Sequence, residues 1–249
     1  MGGKGKIGRH ISEKIIEIEG KIPIETEAYF EPFVGMCGVM RHMCNSKHKN
    51  KKACDYSENI ISLWKEVKEG WIPPSFMSRD EVSFQKTQAP SALKCFAAHG
   101  TSFGGVYFGS YIGEYNNGKT CIDVSSRSII RVSKLIMDVE FLSSRSYEDF
   151  NPVNETIYCD PPYKTATKSV ISMHNFKNFD HIQFWNVMRD WVSKNNIVFI
   201  SEYTFPSDFV KVWSKNQKIN GGKYKVEKLV MHESQAKYCQ DNVVNSPSV

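Results

Sequence analysis

"NETIYCDPPYKTATKS", residues 154–169, runs from a short β-branched and aromatic stretch straight into two prolines. Thr156-Ile157-Tyr158 predicts a strand. Pro161 and Pro162 remove two backbone donors and fix φ, so the ladder has to stop there. Asp160 and Tyr163 are then left on a stiff backbone at a strand end, where α/β proteins keep their ligand sites. The plainer alternative is an edge strand closing into a proline-rich turn, with the aspartate as turn-former.

The surrounding pattern favours an α/β sheet. Upstream, "EAYFEPFVGMCGVM" reads as a strand entering a glycine turn at Gly35–Gly38, followed by a helix through "VMRHM". "KKACDYSENIISLWKEVKEG" reads as a strand ending at Asp55 and then a helix with Ile60, Ile61, Leu63, Trp64 and Val67 at helical spacing, stopped by Gly70. From Trp71 to Ser125 prolines, glycines and aromatics dominate and no long amphipathic segment is predicted. "SIIRVSKLI" reads as helix and "DVEFLSS" as strand. Downstream, "DHIQFWNVMRDWVSKNN" predicts a helix capped by Asp180, with Ile182, Trp185, Met188 and Trp191 or Val192 on one face. "NIVFISEY" predicts a strand, "SDFVKVWS" a short helix and "YKVEKLVMHE" a strand. Strand and helix alternate on both sides of an irregular middle, which predicts a largely parallel sheet with an insertion of about 60 residues.

Composition narrows the classes. The chain has 249 residues, 41% of them hydrophobic, enough for a sizeable core and against wholesale disorder. A net charge of +5 permits a polyanionic partner without requiring one. Seven cysteines stand singly with no CxxC pair, which suggests a reducing intracellular compartment, cytoplasm or nucleus, and no zinc cluster. No signal peptide is read at "MGGKGKIGRH", and no segment is apolar enough to span a bilayer, so no membrane partner is expected. "GGKGKIG" lacks the GK[ST] ending of a P-loop and by itself reads as a flexible basic terminus.

Two motifs carry chemistry. The glycine turn after the first strand lets backbone approach a ligand, and Asp55 at the next strand end can bond the hydroxyls of a ribose. The alternative is that Asp55 caps the helix through "SENIISLW". The second motif is Asp160-Pro161-Pro162-Tyr163. A planar exocyclic amine, such as N6 of adenine, is a poor nucleophile because its lone pair is delocalised. Alkylating it takes an acceptor for its hydrogens, a second acceptor to hold it and a flat surface for the base. The Asp160 carboxylate, the rigid Pro161 carbonyl and the Tyr163 ring supply these.

With these residues in place, the chain resembles the Dam-like DNA adenine-N6 methyltransferases of bacteriophage and viral type. The likeness runs along nearly the whole chain, through "GGKGKIGRHI", "EPFVGMCGV", "CDYSENIISLWKEV", "SFGGVYFGSY", "VEFLSSRSYEDF", "IYCDPPY", "FWNVMRDW", "VFISEYTFPSDF" and "EKLV" in the family's order. Cys37 stands at the second glycine position of the family's FxGxG, with Gly38 one step later. The resemblance implies a Rossmann-like S-adenosylmethionine-dependent fold, with a catalytic domain at 1–64 and 131–249 and a small target-recognition insertion at 65–130. It implies S-adenosyl-L-methionine as cofactor, double-stranded DNA as partner and no metal. Lys4, Asp55 and Asp160 match cofactor contacts, Phe33, Gly35 and Gly38 fall in the glycine motif, and Ser146 and Tyr147 fall where relatives line the cofactor's adenine. Asp160, Pro161, Pro162 and Tyr163 form the catalytic motif, and transfer is direct, without a covalent enzyme intermediate. The rival readings are an RNA or cytosine-N4 amino-methyltransferase, and an inactive homologue that still binds DNA.

Within the insertion, Asn116-Asn117-Gly118 is a turn signal between two β-like runs, with Lys119, Arg127, Arg131 and Lys134 behind it. Asn116 and Asn117 are candidates for reading base edges, and Lys119, Arg127 and Arg131 for phosphate contacts. The alternative is an ordinary surface hairpin and a solvated helix face.

Overall fold

The computed structural model describes residues 4–112, 120–164, 179–218 and 224–239. Within them, β1 (Ala28–Glu31), β2 (Asn50–Ala53), β3 (Val139–Phe141), β4 (Glu155–Cys159), β5 (Ile197–Ser201), β6 (Phe209–Lys218) and β7 (Tyr224–His232) form one sheet. Its order is β3-β2-β1-β4-β5-β7-β6. β1 pairs in parallel with β2 and β4, β2 with β3, and β4 with β5. β7 runs antiparallel to both β5 and β6. The strand order reverses at β1 and β4, so a crevice opens beyond their carboxyl ends. The fold is Rossmann-like, as its order and largely parallel sense require.

The helices are α1 (Gly8–Glu19), α2 (Glu58–Lys68), α3 (Arg79–Gln85), α4 (Ala92–Gly100), α5 (Cys121–Ser133), α6 (His181–Ser193) and α7 (Glu233–Ala236). They cover both faces of the sheet, and the strands alternate accordingly. Tyr29, Tyr158 and Phe199 point into a core with Ile11 and Ile15 of α1, Leu63 and Trp64 of α2, and Phe96 of α4. Phe30, Ile157, Val198 and Ile200 point into a second core with Phe184, Trp185, Met188 and Trp191 of α6. β4 and β5 are buried at every position, as parallel strands covered on both faces should be. α2 is followed by Gly70 at φ +101°, the left-handed stop that glycine provides.

Four local readings are corrected. "SDFVKVWS" lies largely in β6, not in a helix, because Phe209 to Lys218 pair along β7. "VMRHM" forms a 3-10 turn, Met40–Asn45, rather than an α-helix. The run after Lys119 is the start of α5, not a strand. Thr120 caps it by accepting from Asp123 N, and this cap outweighs the β-branched Ile122 and Val124. On α6, Ile182 is 78% exposed, and Phe184 takes the buried place instead. α1 was not read from the sequence, although Ile11, Ile15 and Ile18 recur at helical spacing and are buried. Among the described residues, no strand of the sheet comes from the chain between β2 and β3, where α2 to α5 lie. Among the described residues no helix is long and apolar enough to cross a membrane.

Candidate active site

The glycine turn begins where β1 ends. Gly35 has φ +47° and Cys37 φ +53°, both in the left-handed region. Three bonds fix the turn. Val34 N donates to Cys54 O at 2.9 Å, Trp64 Nε1 of α2 donates to Gly35 O at 2.9 Å, and Gly35 N donates to Asp55 Oδ2 at 2.9 Å. The other oxygen of Asp55 accepts from Ser57 N, also at 2.9 Å. Ser57 is the N-cap of α2, so Asp55 does serve the helix start while facing the turn. Burial pushes the Asp55 carboxyl up to about 6, against the pull of the Ser57 and Gly35 amides.

Close packing of two glycines brings the N-terminal segment to the same place. A Cβ on Gly8 would lie 1.9 Å from Gly38 O, and one on Gly38 would lie 3.0 Å from Lys4 N and Cβ. Only hydrogen at Gly8 lets the two segments pack this closely, and a Cβ at Gly38 would crowd Lys4. Lys4 is thereby delivered to the end of β4, with its side chain 8% exposed.

At that strand end Lys4 Nζ meets Asp160 Oδ1 at 3.0 Å and Glu227 Oε1 at 2.7 Å. It also bonds the Tyr163 hydroxyl. The Tyr163 OH lies 3.0 Å from Asp160 Oδ1 and 3.1 Å from Glu227 Oε1. Tyr203, after β5, packs edge-on against the Tyr163 ring at 4.8 Å and donates to Glu227 Oε2 at 3.4 Å. The ammoniums of Lys4 and Lys225 lie 4.7 and 5.1 Å from the centre of the Tyr163 ring. Among the described residues, Asp160 Oδ2 has no hydrogen-bond partner. Burial raises the Asp160 carboxyl, Lys4 lowers it and Glu227 raises it, for a net upward shift. Burial depresses the Lys4 ammonium, but Asp160 and Glu227 together carry it above its ordinary value.

The other sequence candidates divide. Phe33 packs on Tyr147 at 5.3 Å and edge-on to Phe184 at 6.0 Å, joining the loops after β1 and β3 in one aromatic cluster. Ser146 caps the 3-10 turn Tyr147–Asp149, accepting from Glu148 N while Asp149 takes the Ser146 amide. Arg127 and Arg131 are on α5 and exposed. Arg127 Nε donates to Asp123 O at 3.2 Å. Asn116, Asn117 and Lys119 lie outside the described residues. Glu227, Tyr203 and Lys225 were not singled out as site residues. The available signal was an acid, Glu227, beside Lys228 in a run that otherwise reads Val226, Leu229, Val230 and Met231. No group of three His, Cys, Asp or Glu suited to a metal occurs among the described residues.

Comparison with known structures gives low identities. Magnesium protoporphyrin IX methyltransferase (ChlM) from Synechocystis is 7% identical, with 92% of this chain and 79% of that one covered and a TM-score of 0.42. TrmN from Thermus thermophilus is 11% identical with a TM-score of 0.40; the match covers 90% of this chain but only 48% of TrmN. A putative RNA methyltransferase from Pyrococcus horikoshii is 7% identical, covered over 89% and 81%, with a TM-score of 0.38. Likeness at this level adds nothing to the sheet order already described. No curated protein matches the sequence. A family model does: D12 class N6 adenine-specific DNA methyltransferase, over residues 103–228, just over half of the chain and inclusive of the Asp160–Tyr163 motif. The chain belongs to the D12 class of N6 adenine-specific DNA methyltransferases.

Proposed function

We propose that the protein transfers a methyl group from S-adenosylmethionine to the N6 amine of adenine in double-stranded DNA. The observation that carries this is the Asp160 carboxylate at the end of β4. One oxygen is pinned by Lys4 and Tyr163, and the other, without a partner among the described residues, accepts an amine hydrogen. The Pro161 carbonyl, held by the proline that follows, is the second acceptor. Tyr163 presents the aromatic surface, and a base has to leave the duplex stack to reach it.

The site suits the cofactor. A Cβ built on Gly35 meets no described atom within 4 Å, so the turn has open space on its ligand side. Asp55 offers a carboxylate beside that turn for a ribose, and Lys4 stands between it and the catalytic motif. When bound, S-adenosylmethionine supplies an electrophilic methyl on a sulfonium. The chain's own residues then orient the amine and take up its hydrogen bonds, which is mainly a contribution of position and polarity. Residues 65–130 serve as the target-recognition insertion. Arg127 and Arg131 contact phosphates, and Asn116, Asn117 and Lys119 contact the bases and the backbone beside them.

The test is transfer from cofactor labelled in its methyl group to duplex DNA and to RNA, followed by digestion to nucleosides and mass spectrometry. Label in N6-methyl-2′-deoxyadenosine from DNA is the expected result. Label in N4-methylcytosine, label in RNA alone, or no label in any nucleoside would overturn the reading.

A further inference from the structure

Glu227 enters the site from β7, two residues before fully buried Leu229, and meets the half-covered aromatic pair Tyr163 and Tyr203. Its side chain is 4% exposed. It holds Lys4 at 2.7 Å, closer than the 3.0 Å between Lys4 and Asp160. Three charged groups therefore meet with unequal signs: two carboxylates and one ammonium. A second ammonium, Lys225, interacts by charge with Glu227 and Asp160 but stands outside this hydrogen-bonded group. Lys225 makes no hydrogen bond to either carboxylate among the described residues; its ammonium lies over the Tyr163 and Tyr203 rings. Glu31 and Glu202 are acids too, and burial raises both, so they hold protons more readily than usual. Without Glu227, the Lys4 ammonium would cancel Asp160 and would itself repel a cation placed near the target amine.

We propose that Glu227 positions Lys4 and offsets its charge. Asp160 then faces the reacting atoms as an anion that Lys4 does not cancel, which favours a cationic sulfonium over the neutral thioether that remains after methyl transfer. This rests on the cofactor assigned under Proposed function. It makes Glu227 a determinant of methyl-donor preference and of product release, acting through Lys4.

The test is calorimetric, on the full chain, with S-adenosylmethionine and S-adenosylhomocysteine as the two probes. The parent should prefer the sulfonium. In Glu227→Gln the preference should shrink about tenfold, because a unit charge a few ångströms away in a half-dry site has that order of effect. Lys4→Met should widen it. Lys4→Met/Glu227→Gln removes one charge of each sign and should return the ratio to within about twofold of the parent. The double variant also leaves no buried ammonium unpaired, so it answers the question even if Glu227→Gln alone does not fold. Equal weakening of both ligands in Glu227→Gln, a narrowed preference in Lys4→Met, or a double variant whose ratio stays away from the parent's would each overturn the proposal. A parent that binds neither probe would overturn the cofactor reading, and this proposal with it.

Discussion

Asp55 and Asp160 occupy equivalent places, just past the carboxyl ends of β2 and β4, and burial raises both carboxyls. Their partners differ in kind. Asp55 is held by two backbone amides, Gly35 and Ser57, from loops directly beside it in the sheet. Asp160 is held by side chains, Lys4 and Tyr163, and Lys4 is in turn held by Glu227. A backbone cradle fixes a carboxylate in one place at little conformational cost. A side-chain network fixes it only while every member is present, and each member changes its charge. The first arrangement suits a group that binds uniformly through the reaction. The second suits one whose polarity must match the reacting atoms.

If this division holds, Asp160→Ala should produce the largest effect. Turnover should fall on the order of 10³-fold, with the protein still folded by circular dichroism, because the lost group was one that burial disfavoured. Near-normal turnover would break the comparison at its stronger end. The same network fixes the sign of the pH response. The amine needs the ionised carboxylate, so the rate should fall as pH drops through the raised Asp160 value, above the ordinary aspartate figure of about 3.9. Lys4 is the chief influence holding that value down. In Lys4→Met the acid limb should therefore move to higher pH, and a limb that stayed in place would detach Lys4 from Asp160.

Asp55→Ala should act differently and less severely. The Michaelis constant for S-adenosylmethionine should rise roughly tenfold with little change in kcat, as expected for one charged hydrogen-bonding group lost from ground and transition states alike. Its melting temperature should also drop, since the Gly35 and Ser57 amides lose their acceptor. Cofactor affinity in the parent should weaken as pH falls below about 6, where the Asp55 carboxyl takes up its proton. In Asp55→Asn that dependence should be absent. An Asp55→Ala variant with unchanged cofactor affinity and a lowered melting temperature would reduce Asp55 to its helix-capping role.

The same contrast governs what could be read in the sequence. Asp160, its prolines and Tyr163 are four consecutive residues, and the glycine turn lies in one short run, so local chemistry exposed both. Lys4 and Glu227 are 223 residues apart, and nothing but the sheet order, which brings β7 in beside β5, puts them together. The strand misread as a helix fails for a related reason. Phe209, Val210 and Trp213 suit either period, and only the ladder with β7 decides between them. Thr120 shows the opposite case: a local signal, a threonine three residues before an aspartate, was present and was outweighed in the reading by the asparagine-glycine turn just before it.

The smallest effect tests whether the departure at Cys37 matters. Cys37 stands where the family's motif has glycine, and its φ of +53° explains the preference for glycine there. A side chain in this region costs roughly 1–2 kcal/mol. The Cys37 side chain is fully buried in the core under the turn, and burying a group of that size returns about 1 kcal/mol or more. The two terms oppose each other and are of similar size. Burial also raises the thiol, with Glu31 and Asp55 adding to the shift, so Cys37 is an inert neutral group and not a nucleophile. Cys37→Gly should therefore shift stability by no more than about 1 kcal/mol in either direction and leave cofactor affinity within about twofold. Cys37→Ala keeps the strain and loses the packing, so it should be the less stable of the two by chemical denaturation. If Cys37→Ala were instead the more stable, the backbone at this turn would not be strained, and the open side of Gly35 alone would account for the glycine motif.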